Sequence, residues 1–169
     1  SKRKAFGEEA YTLDTALANK LMDDAKGVED AILAGNRPEV VYRDILKDEV
    51  RPIEKVEAGK TRLVSGAPVQ YVIAARRHFG MFMHAVESLG CRTGVCVGIN
   101  PFKDWTELAL LLGADDRGRK CIAGDFGSYD ASQTPQVLNS IRDRINEWYG
   151  GSNVVRDGLW VEITNSRHI

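Results

Sequence analysis

Two carboxylates five positions apart, Asp125 and Asp130, and a run of cations beginning at Lys47 are the residues whose types and spacing could do chemistry. Asp125 closes the run Arg119-Lys120-Cys121-Ile122-Ala123-Gly124, and Gly124 and Gly127 on either side of it let the backbone turn tightly. The pattern predicts a buried strand that delivers an acid to its end and a turn that carries Asp130. A helix follows, with Thr134 as N-cap and Pro135 in its first position. A carboxylate at the lip of a sheet can hold a hard cation such as Mg²⁺ between protein oxygens and phosphate oxygens. The same two residues serve equally as loop acids that accept backbone hydrogen bonds or cap the next helix.

The second concentration of charge is Lys47-Asp48-Glu49-Val50-Arg51, followed by Lys55-Val56-Glu57-Ala58-Gly59-Lys60-Thr61-Arg62-Leu63. Within residues 51–77, Arg51, Lys55, Lys60, Arg62, Arg76 and Arg77 stand against only Glu54 and Glu57, which makes this the chain's one concentrated positive field. Pro52, Ala58 and Gly59 predict loop or hairpin rather than helix, with a strand over 61–65. Cations that alternate along a hairpin can face one phosphate chain, Arg gripping oxygens in a bidentate fork and Lys acting as a point charge. Standing alone, the stretch also reads as a solvated charged loop.

The elements that must position these residues follow from apolar periodicity. Residues 12–33 fit one or two helices with Gly27 as a break point, and residues 40–46 alternate as a strand. Residues 68–89 are the longest helical pattern, with Val72, Ile73, Phe79, Met83, Val86 and Leu89 able to line a core face. A strand is predicted over 93–99. Asn100-Pro101 then starts a helix that Gly113 ends, and Asp115-Asp116-Arg117-Gly118 makes a polar turn. Val137, Leu138, Ile141 and Ile145 continue the helix opened by Pro135, Gly150-Gly151 breaks it, and residues 154–163 are amphipathic.

Composition narrows the classes. At 169 residues, 43% hydrophobic and 28% charged, the chain can bury a core, and a net charge of -1 excludes a protein that coats nucleic acid over its whole surface. Cys91, Cys96 and Cys121 form no C-x-x-C pair and read as reduced core residues, and neither His78 nor His84 has a partner at ligand spacing. No stretch has the length and apolarity of a membrane span. The chain lacks an initiator Met and is expected to be a piece of something larger. Gly59-Lys60-Thr61 mimics the end of a P-loop, but Glu54 stands where that loop needs glycine. Asp125-Phe126-Gly127 spells the metal-binding triplet of protein kinases, without a Gly-rich loop and too far from the catalytic-loop-like Tyr42-Arg43-Asp44.

Taken together, the two charged stretches resemble the RNA-dependent RNA polymerases of picornaviruses and picorna-like positive-strand RNA viruses. Lys47-Asp48-Glu49-Val50-Arg51 with Lys55 to Leu63 is similar to the family's basic finger motif, and Asp125-x4-Asp130-Ala131-Ser132, ending in Pro135, is similar to its first palm motif. Phe79-Gly80 and Val97-Gly98-Ile99-Asn100-Pro101 agree between them. The resemblance implies that Asp125 binds catalytic Mg²⁺ or Mn²⁺ and that Asp130 recognises the ribose 2′-hydroxyl of the incoming nucleotide. It also implies that Lys47, Lys55 and Arg62 neutralise the triphosphate, with Arg62 the strongest candidate for direct contact. The family's serine-glycine loop and Gly-Asp-Asp turn do not occur beyond Asp130.

The expected fold is therefore α+β, a partial right-hand polymerase in which finger elements (1–78) precede the first part of a palm (79–169), short strands packing on helices. The expected function is template-directed transfer of ribonucleotides by two metals in a parent protein that works in the host-cell cytoplasm. RNA template, primer, ribonucleoside triphosphates and the rest of the polymerase are its expected partners. An RNA-binding or structural fragment with no catalysis of its own is the alternative, and the isolated chain is expected to be inactive.

Overall fold

A computed structural model describes residues 16–120 and 122–169. The expected start of the first helix at residues 12–15, the basic opening at residues 1–4 and Cys121 lie outside them. The described chain forms two compact units, one of the residues up to His78 together with Ser152–Ile169, the other of Phe79–Gly151.

The first unit is built on helix against helix. In α1 (Ala16–Leu33), Ala18, Ala25, Val28 and Ile32 recur on one face and are buried. Gly27 does not break the helix, because a glycine on an otherwise periodic face costs only propensity. Gly35, at φ +76, ends it, with the Gly35 and Asn36 amides returning to the carbonyls of Ile32 and Ala31. The last helix in the chain, α7 (Val154–Thr164), packs on α1. Gly158 permits the crossing, since a Cβ there would sit 2.3 Å from Ile32 Cγ2. Glu162, fully buried on α7, receives the Arg37 guanidinium as a fork, Nε at 2.6 Å and Nη2 at 3.1 Å.

Strand β1 (Arg43–Leu46) pairs antiparallel with β2 (Leu63–Gly66), Arg43 opposite Gly66 and Leu46 opposite Leu63. On its other edge β1 takes the chain's last residues, through a parallel bridge of Tyr42 to His168. Between the strands lies α2 (Ile53–Glu57), which corrects the expectation of loop or hairpin without helix. Pro52 opens rather than breaks this turn, its carbonyl accepting from the Lys55 amide at 3.0 Å. Gly59, at φ +62, closes it, with Lys60 N–H donating to Lys55 O at 2.9 Å. The glycine that imitates a P-loop is thus a helix terminator. Helix α3 (Val69–Leu89) begins here, and its buried Tyr71 donates to Leu159 O at 2.9 Å.

The second unit contains the rest of α3, a 3-10 turn (Gly90–Thr93), α4 (Pro101–Leu111), α5 (Tyr129–Ser132) and α6 (Pro135–Trp148). The expected cap is present, Thr134 Oγ1 accepting from Val137 N–H at 3.4 Å, and at the expected start of α4 Asn100 Oδ1 accepts from Phe102 N–H at 3.0 Å. Phe82 meets Trp148 edge-on at 5.6 Å, and the Phe82 amide donates to the Tyr149 hydroxyl at 3.2 Å. Two expectations are corrected. Residues 93–99 are the end of the 3-10 turn followed by irregular chain. The stretch before Asp125 forms no strand among the described residues, Ile122 being 99% exposed. A strand needs a neighbour for its amides and carbonyls, and none of the described residues supplies one. The expected core face of α3 is also largely open, with Val72, Met83 and Leu89 exposed. The described residues are α+β, helices with one two-stranded sheet.

Candidate functional site

The register of β1 and β2 decides which cations meet. Past the last pair, Leu46 with Leu63, the Lys47 amide donates to the Arg62 carbonyl at 2.9 Å, so the ladder carries Lys47 and Arg62 to facing positions. Between them stands Glu49. Arg62 Nε lies 2.7 Å from Glu49 Oε1, and Arg62 Nη2 donates to Oε2. Lys47 Nζ is 3.2 Å from the same carboxylate and Arg51 Nε 3.7 Å. Arg51 also donates through Nη1 to the Lys60 carbonyl, tying the two sides of the connection together. The Arg62 fork, and behind it Lys47, holds the Glu49 carboxyl down at about 2 although its side chain is only 17% exposed. Reciprocally, Glu49 raises the Arg62 guanidinium above its ordinary value.

Three cations thus converge on one carboxylate and leave an excess of positive charge on the hairpin. Such a group can bind a polyanion, because the guanidinium forks and the ammonium are already gathered. Lys55 is not among them. It lies exposed in the last turn of α2, and among the described residues no acid pairs with it.

Asp125 and Asp130 lie in the second unit, at the two ends of one short reversal. Asp125 Oδ1 accepts from the Phe126 amide at 2.9 Å, the loop-acid bond open to it from the sequence. Ser128 then takes φ 54 and ψ 45, the one non-glycine residue with positive φ among those described. That left-handed residue turns the chain into α5, whose first turn carries Asp130. Phe126 and Tyr129 pack ring to ring at 5.5 Å across the turn, and both carboxylates are exposed. Among the described residues no group of three or more His, Cys, Asp or Glu is placed to hold a metal ion. The described residues therefore do not by themselves make a complete metal site, and Asp125 offers a single exposed carboxylate.

Sequence reasoning brought forward Lys47, Lys55, Arg62, Asp125 and Asp130 and missed two others. Glu49 was legible only as one of two adjacent acids, Asp48 and Glu49, between Lys47 and Arg51, and Ser128 gave no signal, since serine is not a left-handed residue by habit.

Comparison with known proteins places this geometry in a family. The family model for viral RNA-dependent RNA polymerase matches residues 1–169. The replicase polyprotein of Cricket paralysis virus is 35% identical over 173 residues, covering 95% of this chain and 10% of the polyprotein. That of Drosophila C virus is 38% identical over 138 residues, covering 80% of this chain and 8% of the polyprotein. Among solved structures, the Sicinivirus 3Dpol RNA dependent RNA polymerase superposes with a TM-score of 0.65 at 25% identity, over 85% of this chain and 29% of that one. The chain spans about a tenth of these polyproteins' length and under a third of the solved polymerase. No helix among the described residues is long and apolar enough to cross a membrane. By the extent of these matches, the chain belongs to the viral RNA-dependent RNA polymerase family, among its picorna-like members.

Proposed function

We propose that this chain supplies the basic finger hairpin and the first palm carboxylates of a polymerase that joins ribonucleotides on an RNA template. The residues up to 78 act as finger elements, and those from 79 onward as the first part of the palm. Lys47, Lys55 and Arg62 neutralise the triphosphate of the incoming nucleotide, with Arg62 in direct contact. Asp125 is a ligand for Mg²⁺ or Mn²⁺, and the metal supplies charge stabilisation at the reacting phosphate. Asp130 accepts a hydrogen bond from the ribose 2′-hydroxyl, the group that separates RNA precursors from DNA ones. RNA template and primer are the partners, the cytoplasm of the host cell is the compartment, and the remaining polymerase covers the apolar surface of the second unit.

The observation that carries this reading is the convergence of Lys47, Arg51 and Arg62 at the end of one strand pair, in a member of a family that handles triphosphates. Phosphoryl transfer asks a protein mainly for positioning and charge neutralisation. The chain's own residues are accordingly assigned to binding and orienting.

The test is Arg62→Ala in the complete polymerase. Loss of charge-assisted bonds to phosphate raises the nucleotide KM roughly ten- to a hundredfold, with the fold retained. A normal KM in the folded variant removes the finger assignment. The alternative, a segment that binds RNA or supports the fold without chemistry, is favoured for the isolated chain by the incomplete ligand set around Asp125.

A further inference from the structure

We propose that Glu49 is the positioning residue of the finger cluster, holding Arg62 in the orientation from which it meets the nucleotide's triphosphate. The inference rests on the reading of that cluster as the triphosphate site and adds a residue which that reading does not contain.

Three observations converge on it. Lys47, Arg51 and Arg62 carry like charges that repel, yet all three come within 4 Å of one carboxylate. Among the described residues Glu49 is the one acid they share, so it is what lets them stay together. The contact to Arg62 is a two-point fork through Nε and Nη2, which fixes the guanidinium plane as a single-point contact would not. A fork takes two of the five guanidinium N–H donors and leaves Nη1 outside it for a second anion. Lastly, Glu49 is itself well held, most of its side chain covered and its carboxylate the meeting point of both sides of the connection. A loose surface acid would impose no direction on its partner.

Lys55 gives the contrast within the same connection. It has no such anchor among the described residues, so its ammonium acts as a mobile charge, whereas the Arg62 fork is preorganised and loses less freedom on binding. Removing Glu49 adds net positive charge to the cluster. If charge alone governed nucleotide binding, that change would tighten it. Positioning predicts the reverse.

The experiment is a mutant cycle in the complete polymerase, with nucleotide KM and kcat measured per active site. Arg62→Ala raises KM roughly ten- to a hundredfold, and Glu49→Gln, which keeps the shape and loses the charge, raises it roughly tenfold with kcat within about twofold. The double variant stays within about threefold of Arg62→Ala, because Glu49 acts through Arg62. Glu49→Asp keeps the charge but is too short to close the fork, and it raises KM severalfold; it also serves if Glu49→Gln does not fold. An unchanged or lowered KM in Glu49→Gln, a double variant at the product of the two singles, or Glu49→Asp behaving as the parent protein overturns the inference. A smaller active fraction with normal KM makes Glu49 a structural staple only and overturns it too. If Arg62→Ala itself has a normal KM, the triphosphate reading falls and takes this inference with it; if only the Glu49 arms are normal, the inference alone falls.

Discussion

The two units of the chain hold their charged residues in opposite ways. In the first, Leu159 and Glu162 are fully buried, Gly158 lets two helices touch, and Tyr71 donates into the same region from α3. The hairpin with Lys47 and Arg62 belongs to this unit and is stapled by Glu49. In the second, Phe102 and Ile122 are 99% exposed and Trp105 is 63% exposed, although their sequence is as apolar as that of any core. Its Asp125 and Asp130 stand on a turn held by local bonds and one ring pair. Charge gathering is therefore set by interactions within the first unit, whereas the carboxylates of the second stand on an exposed turn held only by local contacts.

The largest expected effect breaks the second side of that comparison. On the proposed role of Asp125 as a metal ligand, Asp125→Asn in the complete polymerase lowers nucleotide incorporation for every nucleotide by at least about a thousandfold, or ~4 kcal/mol of barrier, since it removes that ligand's charge. Single-turnover incorporation is the measurement. Activity within tenfold of the parent would leave Asp125 as the loop acid that its bond to Phe126 already makes it.

Next come paired truncations of apolar side chains in the 169-residue chain. Leu159→Ala, in the closed core, costs about 2–5 kcal/mol in urea unfolding. Phe102→Ala, on the open surface of α4, changes stability by less than about 0.5 kcal/mol. In the complete polymerase the second figure rises to about 2 kcal/mol or more if that surface is covered there. Equal costs for Phe102→Ala in both settings would show that the surface stays bare.

The same contrast explains what could be read from the sequence. Helices α1, α3, α4, α6 and α7 were legible because a helix satisfies its own backbone, and Asn100 and Thr134 with the prolines after them mark the starts of α4 and α6. The strands expected over 93–99 and before Asp125 were not, because a strand is a relation between two segments and the sequence shows one. Strands β1 and β2 succeeded because each had the other. Helix α2 was hidden by Pro52 and Gly59, which read as breakers and act as its two ends. Within the site, residue types could be listed, but only the register shows that Lys47 faces Arg62 and that Glu49 lies between them.

A smaller effect separates the two carboxylates from each other. Asp130 sits past the left-handed Ser128, in the first turn of α5, and is proposed above to meet the sugar rather than the metal. Asp130→Ala lowers ribonucleotide use by about 1–3 kcal/mol of transition-state binding and deoxynucleotide use by less. The ratio of the two kcat/KM values is the readout. A residue that merely sits at a helix start would cost stability and leave that ratio where it was.

The smallest effect tests the first unit and needs no catalysis. Glu49 has a carboxyl depressed from 4.5 to about 2 by the Arg62 fork, then Lys47. A group whose folded value lies below its unfolded one stabilises the fold above the unfolded value and loses that contribution as pH falls through the folded one. The stability that Glu49 contributes is accordingly complete from neutral pH down to about 4.5 and falls away between there and about 2, whereas in the folded chain the carboxylate, and with it the fork to Arg62, persists until the pH reaches about 2. An NMR titration of the Glu49 carboxyl in the 169-residue chain should show a midpoint near 2, shifted upward in Arg62→Ala, while Arg62 Nε should lose its protection from exchange with the same midpoint. A midpoint near 4.5 in the unmutated chain would mean that the fork is open in solution. The comparison would then collapse from the other side, with both sets of charged residues waiting for the rest of the polymerase to arrange them.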